Sequence, residues 1–97
     1  MPKGYWIAHV DVTDPKRFEE YRAANAAALR KYGGKFLVRG GQSEPRKGKL
    51  APRHIVLEFE SYAVAKACYD SPEYQAAARI RDAASNSDIV IVEGYEG

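Results

Sequence analysis

Four short segments of the sequence are apolar at successive positions rather than at alternating ones: residues 5–8, 36–38, 55–57 and 89–92. A β-sheet with one face in solvent normally alternates apolar and polar residues, so a sheet built from these segments needs cover on both faces. A chain of 97 residues forms a single domain, spanning 1–97, with helices for only one face. We therefore predict that a second copy covers the other face, in a homodimer joined sheet to sheet.

Helix signals separate the four predicted strands. Asp14 and Pro15 provide an N-cap and a first helical residue, and the amphipathic run that follows ends at Gly33. A second helix begins after Ser61 and is interrupted just before Ser71, which can cap its second segment. The order β-α-β-β-α-β predicts an α+β, ferredoxin-like fold: a four-stranded antiparallel sheet with two helices on one face.

The charge distribution argues against nucleic-acid and membrane partners. Fifteen Lys and Arg against thirteen Asp and Glu leave a net charge of +2, and the basic excess lies in residues 44–53 rather than across a broad face. RNA-recognition domains share this element order, but residues 53–60 lack the glycines of their third-strand motif. No run approaches the roughly 20 apolar residues of a membrane span. We expect no nucleic-acid or membrane partner.

The cysteine and histidine content bears on compartment and cofactors. Cys68 is the only cysteine, which excludes an internal disulfide and suits the reducing cytoplasm, where we expect the protein to be. Its alanine-rich helical setting indicates a small buried side chain rather than a reactive thiolate. His9 and His54 are the only histidines, and their spacing matches no metal motif. We predict no metal site and no cofactor.

Polar residues on the predicted strands form a first candidate site. Setting Arg39 opposite His54 places Lys35 opposite Glu58. On this register Arg39, His54 and Glu58 face the partner sheet, joined by His9 from the first strand. The group suits an anionic or carbonyl-bearing ligand, and the alternative is a structural ion pair between Arg39 and Glu58. The residues predicted to face the helices instead are Phe36, Val38, Ile55, Leu57 and Phe59.

Polar residues on the helices form a second candidate site. Tyr21 and Asn25 lie on the apolar side of the first helix, where a buried phenol or amide needs a partner. Tyr74 and Arg81 are candidates for the edge of a pocket. The alternative is that these residues are core or rim residues bonded to backbone. Ser71 lacks a nucleophile elbow and is interpreted as a helix cap, which aspartate should replace without loss of stability.

Four stretches carry a resemblance to a known family: Val-Arg-Gly-Gly at 38–41, Val-Leu-Glu-Phe-Glu-Ser at 56–61, Tyr-Asp-Ser-Pro-Glu-Tyr-Gln at 69–75 and Val-Glu-Gly at 92–94. They resemble domain of unknown function 1330, a family of the dimeric α+β barrel superfamily. Relatives there include cofactor-free antibiotic-biosynthesis monooxygenases, haem-degrading monooxygenases and ethyl tert-butyl ether degradation proteins. The resemblance implies a homodimer and no particular reaction. Cys68 departs from the family pattern, which often has tryptophan there.

The functional expectation is correspondingly general. We predict a small dimeric α+β barrel protein that binds a small organic molecule in a helix/sheet or interface pocket. Two alternatives stay open at this point: a non-catalytic dimeric module, and a cofactor-free enzyme resembling the monooxygenases or an isomerase. Whether the protein is an enzyme is not determined by these residues.

Overall fold

The computed structural model describes all 97 residues, which form one antiparallel sheet and three helices. The elements in chain order are β1 (Gly4–Val12), α1 (Pro15–Tyr32), β2 (Lys35–Arg39), β3 (Arg53–Phe59), α2 (Tyr62–Asp70), α3 (Pro72–Ala84) and β4 (Ser85–Glu93). The strand order in the sheet is β2-β3-β1-β4, with antiparallel neighbours throughout. The predicted ferredoxin-like α+β fold is confirmed. None of the three helices is long and apolar enough to cross a membrane.

The helix ends lie where the capping residues predict them. The Asp14 carboxylate accepts a hydrogen bond from the backbone N–H of Arg17, and Gly33 ends α1 in the left-handed conformation with φ 71°. The Ser61 hydroxyl accepts from Val64 N–H at the start of α2. Ser71 Oγ stands at the joint between α2 and α3 and accepts from a backbone N–H of α3. The predicted break of the second helix is therefore a change from one helix to the next.

The packed core lies between the sheet and the helices. Trp6 is 3% exposed, and its indole N–H donates to the Ala65 carbonyl of α2 at 2.8 Å. Its ring lies 5.0 Å from the Phe59 ring and 4.7 Å from the Tyr74 ring, centroid to centroid. Cys68 is fully buried beside this group. Aromatic contacts between β1, β3 and α3 thus hold the helical layer on one face of the sheet.

The pairing of β2 with β3 differs from the predicted register. Lys35 lies opposite Glu58, as predicted, but the register shifts by one residue further along β2. Arg39 consequently lies opposite Ile55, and the predicted pairing of Arg39 with His54 is wrong. The extra residue in β2 is a bulge, which a pattern of alternating residues does not reveal.

The bulge reverses which face each later residue of β2 occupies. Because side chains alternate with a period of two, one inserted residue moves Arg39 to the face of Ile55, toward the helices. Val38 moves the other way and lies opposite Val56, with 42% of its surface exposed. The prediction that Val38 faces the helices is therefore wrong, as is the prediction that Arg39 faces a partner sheet.

The sheet face away from the helices has no cover within the chain. Its apolar side chains include Val90 and Val92, which are 53% and 39% exposed, and the bulge residue Leu37, which is 47% exposed. Along β1, the side chains of Tyr5 and Ile7 belong to this face and are only half-buried. We call this surface the outer face of the sheet.

Candidate ligand cavity

A cavity opens between the helix-facing side of the sheet and α1. About 50 Å³ of it admits the centre of a water-sized sphere, and one side is open to solvent. Most of the wall is apolar, formed by Trp6, Ala8, Val10, Phe18, Phe36, Ile55, Leu57 and Ile89. The polar lining consists of Tyr21, Arg22, Asn25, Arg39, Arg53, Tyr74 and Arg81.

One group of polar lining residues lies deep in the protein. The hydroxyls of Tyr21 and Tyr74 are 2.7 Å apart, and Arg81 Nη1 donates to the Tyr74 hydroxyl at 3.1 Å. Arg81 is 8% exposed and also donates to the Tyr69 hydroxyl at 3.3 Å and pairs with Asp82 at 3.0 Å. The buried guanidinium therefore has partners within the chain, as a buried charge requires.

Tyr74 remains a neutral phenol in this group. Burial raises its pKa well above the ordinary value and the Tyr21 phenol adds to the rise, while Arg81 opposes it. Tyr74 accepts a hydrogen bond from Arg81, and in the bond between Tyr74 and Tyr21 either hydroxyl can be the donor. When Tyr74 donates to Tyr21, the Tyr21 hydroxyl proton remains for a ligand in the cavity.

A second group of polar residues lies toward the open side. Arg39 is exposed, with its guanidinium 4.4 Å from the centre of the Phe36 ring. Arg53 is half-buried and packs against Gly40, where a Cβ would come within 2.6 Å of Nη1. The φ of 66° favours glycine at this position, and a side chain there would require the Arg53 guanidinium to move. We call Arg39 and Arg53, with the neighbouring Arg22, the arginine rim.

The arginine rim carries more positive charge than the chain neutralises. Arg22 pairs with Glu19 at 2.9 Å, whereas neither Arg39 nor Arg53 forms an ion pair. Burial lowers the pKa of Arg53, and the positive charges of Arg22 and Arg39 lower it further. The Nε atom of Arg53 is buried and has no hydrogen-bond partner. The rim is therefore an electropositive site with donor capacity that the protein leaves unused.

The structure divides the predicted site residues between the two faces of the sheet. Tyr21, Asn25, Arg39, Tyr74 and Arg81 all line the cavity. The remaining three, His9, His54 and Glu58, are absent from its lining. Four of the five cavity residues were predicted there from their place on the helices, and Arg39 arrives through the bulge.

The three remaining residues lie on the outer face. His9 and His54 are opposite each other in β1 and β3, and their Nδ1 atoms are 2.8 Å apart. Glu58 accepts a hydrogen bond from the Tyr5 hydroxyl at 3.2 Å. The alternative of an ion pair between Arg39 and Glu58 is wrong, because the two side chains belong to opposite faces. No group of three or more metal-ligating side chains includes the histidines.

Sequence reasoning missed Arg22 and Arg53 as cavity residues. Arg53 was counted with the basic loop, although it shares its parity in β3 with Ile55 and Leu57, which face the helices. Arg22 follows Phe18 by one turn of α1, which also places it on the cavity side. Both signals were present in the residue spacing.

Two residues singled out from the sequence lie outside the cavity lining. Cys68 is fully buried, and burial raises its thiol pKa to about 12, so that it is a neutral thiol. Ser71 is 4% exposed and holds the joint between α2 and α3 with its hydroxyl. The capping role of Ser71 is confirmed by these contacts.

Comparison with known sequences and structures places this geometry among related folds. The sequence profile of the family described as Domain of unknown function (DUF1330) matches residues 3–95. No curated protein matches the chain in sequence.

Solved structures with the same fold cover nearly the whole chain. A protein of unknown function from Rhodopseudomonas palustris is 15% identical with a TM-score of 0.74, covering 99% of this chain and 85% of its own. A dimeric ferredoxin-like protein of unknown function from Jannaschia sp. CCS1 is 17% identical with a TM-score of 0.74, covering 94% and 98%. SnoaB, a cofactor-independent oxygenase from Streptomyces nogalater, is 17% identical with a TM-score of 0.65, covering 100% and 97%. These similarities concern the fold.

Proposed function

Because the chain belongs to the family Domain of unknown function (DUF1330), whose description states no activity, we propose its function from the cavity: it binds a small organic molecule there. The observation that carries the proposal is the open cavity itself, with an apolar wall and polar groups gathered at its deep and open sides. Ligand sites in proteins commonly have this composition, in which apolar contact supplies affinity and a few polar groups set orientation.

The chemistry of the polar lining favours binding over proton abstraction. Its side chains are guanidinium groups, phenols and one amide, while no carboxylate or imidazole lines the cavity. General bases in enzymes are most often histidine or a carboxylate. The raised pKa of Tyr74 also keeps that phenol protonated. The lining thus stabilises negative charge on a ligand, and the oxygenase activity named for SnoaB is not carried over to this chain.

The proposal includes a homodimer in which a second copy covers the outer face. Its support is the exposed apolar surface around Val38, Val90 and Val92, together with the dimeric state named for the Jannaschia protein of the same fold. Sheet-to-sheet packing leaves the cavity on the helix side of each copy. The cytoplasmic location and the lack of a nucleic-acid partner stay predictions from the sequence.

The test uses Trp6, which lines the cavity and is the only tryptophan. Its indole N–H gives a single resolved signal in a proton–nitrogen correlation spectrum, and small probes such as benzoate and benzyl alcohol are titrated against it. Saturable shifts at millimolar concentration are expected. Replacing Ala8 with Leu fills the cavity and should abolish them, whereas Ala63→Leu on the exposed side of α2 should not. A Trp6 signal that responds to no probe would contradict the proposal.

A further inference from the structure

We infer that the ligand is an apolar carboxylate held by the arginine rim, with its carboxylate on Arg39 and Arg53 and its apolar part inside the cavity. The inference rests on the proposed function and names the ligand class of the same site. Four arginines line the cavity, and no acidic side chain lines it. Arg81 and Arg22 have carboxylate partners, while Arg39 and Arg53 have none.

The cost of this arrangement points to an external anion. Like charges crowd Arg53, burial disfavours its charged form, and its Nε donor is unpaired. An unpaired buried donor is unfavourable, and proteins usually satisfy such groups. Glu19 lies close enough to raise the pKa of Arg53 in part, but it pairs with Arg22, and no carboxylate of the chain pairs with Arg39 or Arg53. A bound carboxylate supplies the missing charge and accepts from the accessible guanidinium N–H groups of Arg39 and Arg53, because a guanidinium matches a carboxylate in geometry.

The cavity wall distinguishes a carboxylate from a phosphate. Eight of the fifteen lining residues are apolar, and the Phe36 ring lies 4.4 Å from the Arg39 guanidinium. A phosphate or phosphorylated sugar presents polar groups on most of its surface, which these walls cannot hydrogen-bond. The limited free volume also selects a short chain or a single ring rather than a fused ring system.

Gly40 contributes to the rim by its lack of a side chain. Its backbone N–H bonds to the His54 carbonyl at 2.9 Å, which ties the end of β2 to β3. Arg53 packs against the uncovered Cα, in space that a Cβ would occupy. The backbone thus keeps the Arg53 guanidinium beside Arg39 without an acidic partner.

The experiment compares benzoate with benzyl alcohol, a neutral probe of similar size, on the full-length protein through the Trp6 signal. Benzoate should bind at least about tenfold more tightly than benzyl alcohol, since hydrogen bonds between charged groups are stronger than those of a neutral hydroxyl. Arg39→Gln and Arg53→Gln should each lower benzoate affinity far more than benzyl alcohol affinity and so remove most of this preference. Arg79→Gln is the matched control, because Arg79 is exposed on α3 and absent from the lining.

The outcomes separate the two proposals. Equal affinity for benzoate and benzyl alcohol in the wild type would overturn the carboxylate inference and leave small-molecule binding standing. A loss of benzoate preference in Arg79→Gln as large as in Arg53→Gln would also overturn it. If neither probe binds, the proposed function fails and the inference fails with it. A variant that still binds benzyl alcohol is folded. In the wild type, inorganic phosphate should not displace benzoate.

Discussion

The two faces of the sheet are built from the same strands and differ in what covers them. In β1, Trp6, Ala8 and Val10 are 3%, 8% and 4% exposed under the helices, whereas Ile7 and His9, which point the other way, are only half-buried. Both sets include apolar residues that gain free energy when removed from water. The helical layer accounts for one face alone. The chain therefore covers one face by its own folding and leaves the other face without a covering layer.

The faces also differ in how their polar groups are paired. On the outer face His9 and His54 bond to each other, and Glu58 accepts from Tyr5. On the cavity side the deep tyrosines and Arg81 are paired, but Arg39 and Arg53 of the arginine rim have no acidic partner. Unpaired polar groups are expected at a ligand site, because the bound ligand supplies their hydrogen-bonding partners. The comparison thus supports the proposals that a second copy covers the outer face and that a ligand occupies the cavity.

The largest expected effect is on association. Val90→Asp places a charge in the middle of the outer face and should convert the dimer to a folded monomer, because a carboxylate buried without a partner is strongly unfavourable. Light scattering should then give the chain mass of 10.8 kDa instead of twice that value. Ala76→Asp on the exposed side of α3 is the control and should stay dimeric. A wild-type protein of single-chain mass at micromolar concentration would refute the dimer.

The next effect is on the stability of the covered face. Phe59 is 1% exposed, and Phe59→Ala should lower the free energy of unfolding by about 3–5 kcal/mol through lost burial and a residual void. Chemical denaturation measures the change. Val92→Ala on the outer face should cost no more than about 1 kcal/mol in a monomeric background such as Val90→Asp. Similar losses of stability at both positions would show that the two faces of the sheet do not differ in burial.

A smaller effect is expected at the helix joint. Ser71 Oγ accepts from Tyr74 N–H at 3.2 Å and also donates to the Cys68 carbonyl at 2.7 Å. Ser71→Ala loses both bonds and should cost about 1–2 kcal/mol in thermal or chemical unfolding. The second bond changes the expectation for aspartate, since a carboxylate cannot donate to that carbonyl and would be nearly buried. Ser71→Asp should therefore be no more stable than Ser71→Ala.

Ser61 is the matched control for that experiment. Its hydroxyl accepts from Val64 N–H, and it is only half-buried. Ser61→Asp should retain the stability of the wild type, because aspartate caps a helix as well as serine does. If aspartate were tolerated equally at both positions, the bond from Ser71 to the Cys68 carbonyl would have no energetic role.

The smallest expected effect concerns Cys68. Burial raises its thiol pKa to about 12, so at about pH 9 only about a thousandth of the folded chains carry a thiolate. Iodoacetamide should label the native protein no faster than it unfolds. The unfolded thiol ionises near pH 8.5, so the contribution of Cys68 to stability falls as the pH rises from about 8.5 to 12. Cys68→Ala should reduce that decline, and rapid native labelling at about pH 9 would contradict the burial.

The sequence by itself determined the elements and the fold. Asp14, Gly33, Ser61 and Ser71 mark helix ends through local hydrogen bonding and backbone conformation, which depend on near neighbours in the chain. The strand order followed from the succession of elements. The placement of four site residues on the cavity followed as well, because it depends on helical periodicity, which no insertion interrupts here.

Only the tertiary structure decided which way the end of β2 faces. The bulge contains no glycine to announce it, and a single extra residue exchanges the faces of all residues that follow. The bulge moves Arg39 beside Arg53. The space over Gly40 is occupied by the Arg53 guanidinium only because β3 pairs with β2 and brings Arg53 there. The arginine rim therefore arises from the pairing of two strands separated by residues 40–52. Such pairing depends on packing energies summed over the whole sheet, which local sequence patterns do not contain.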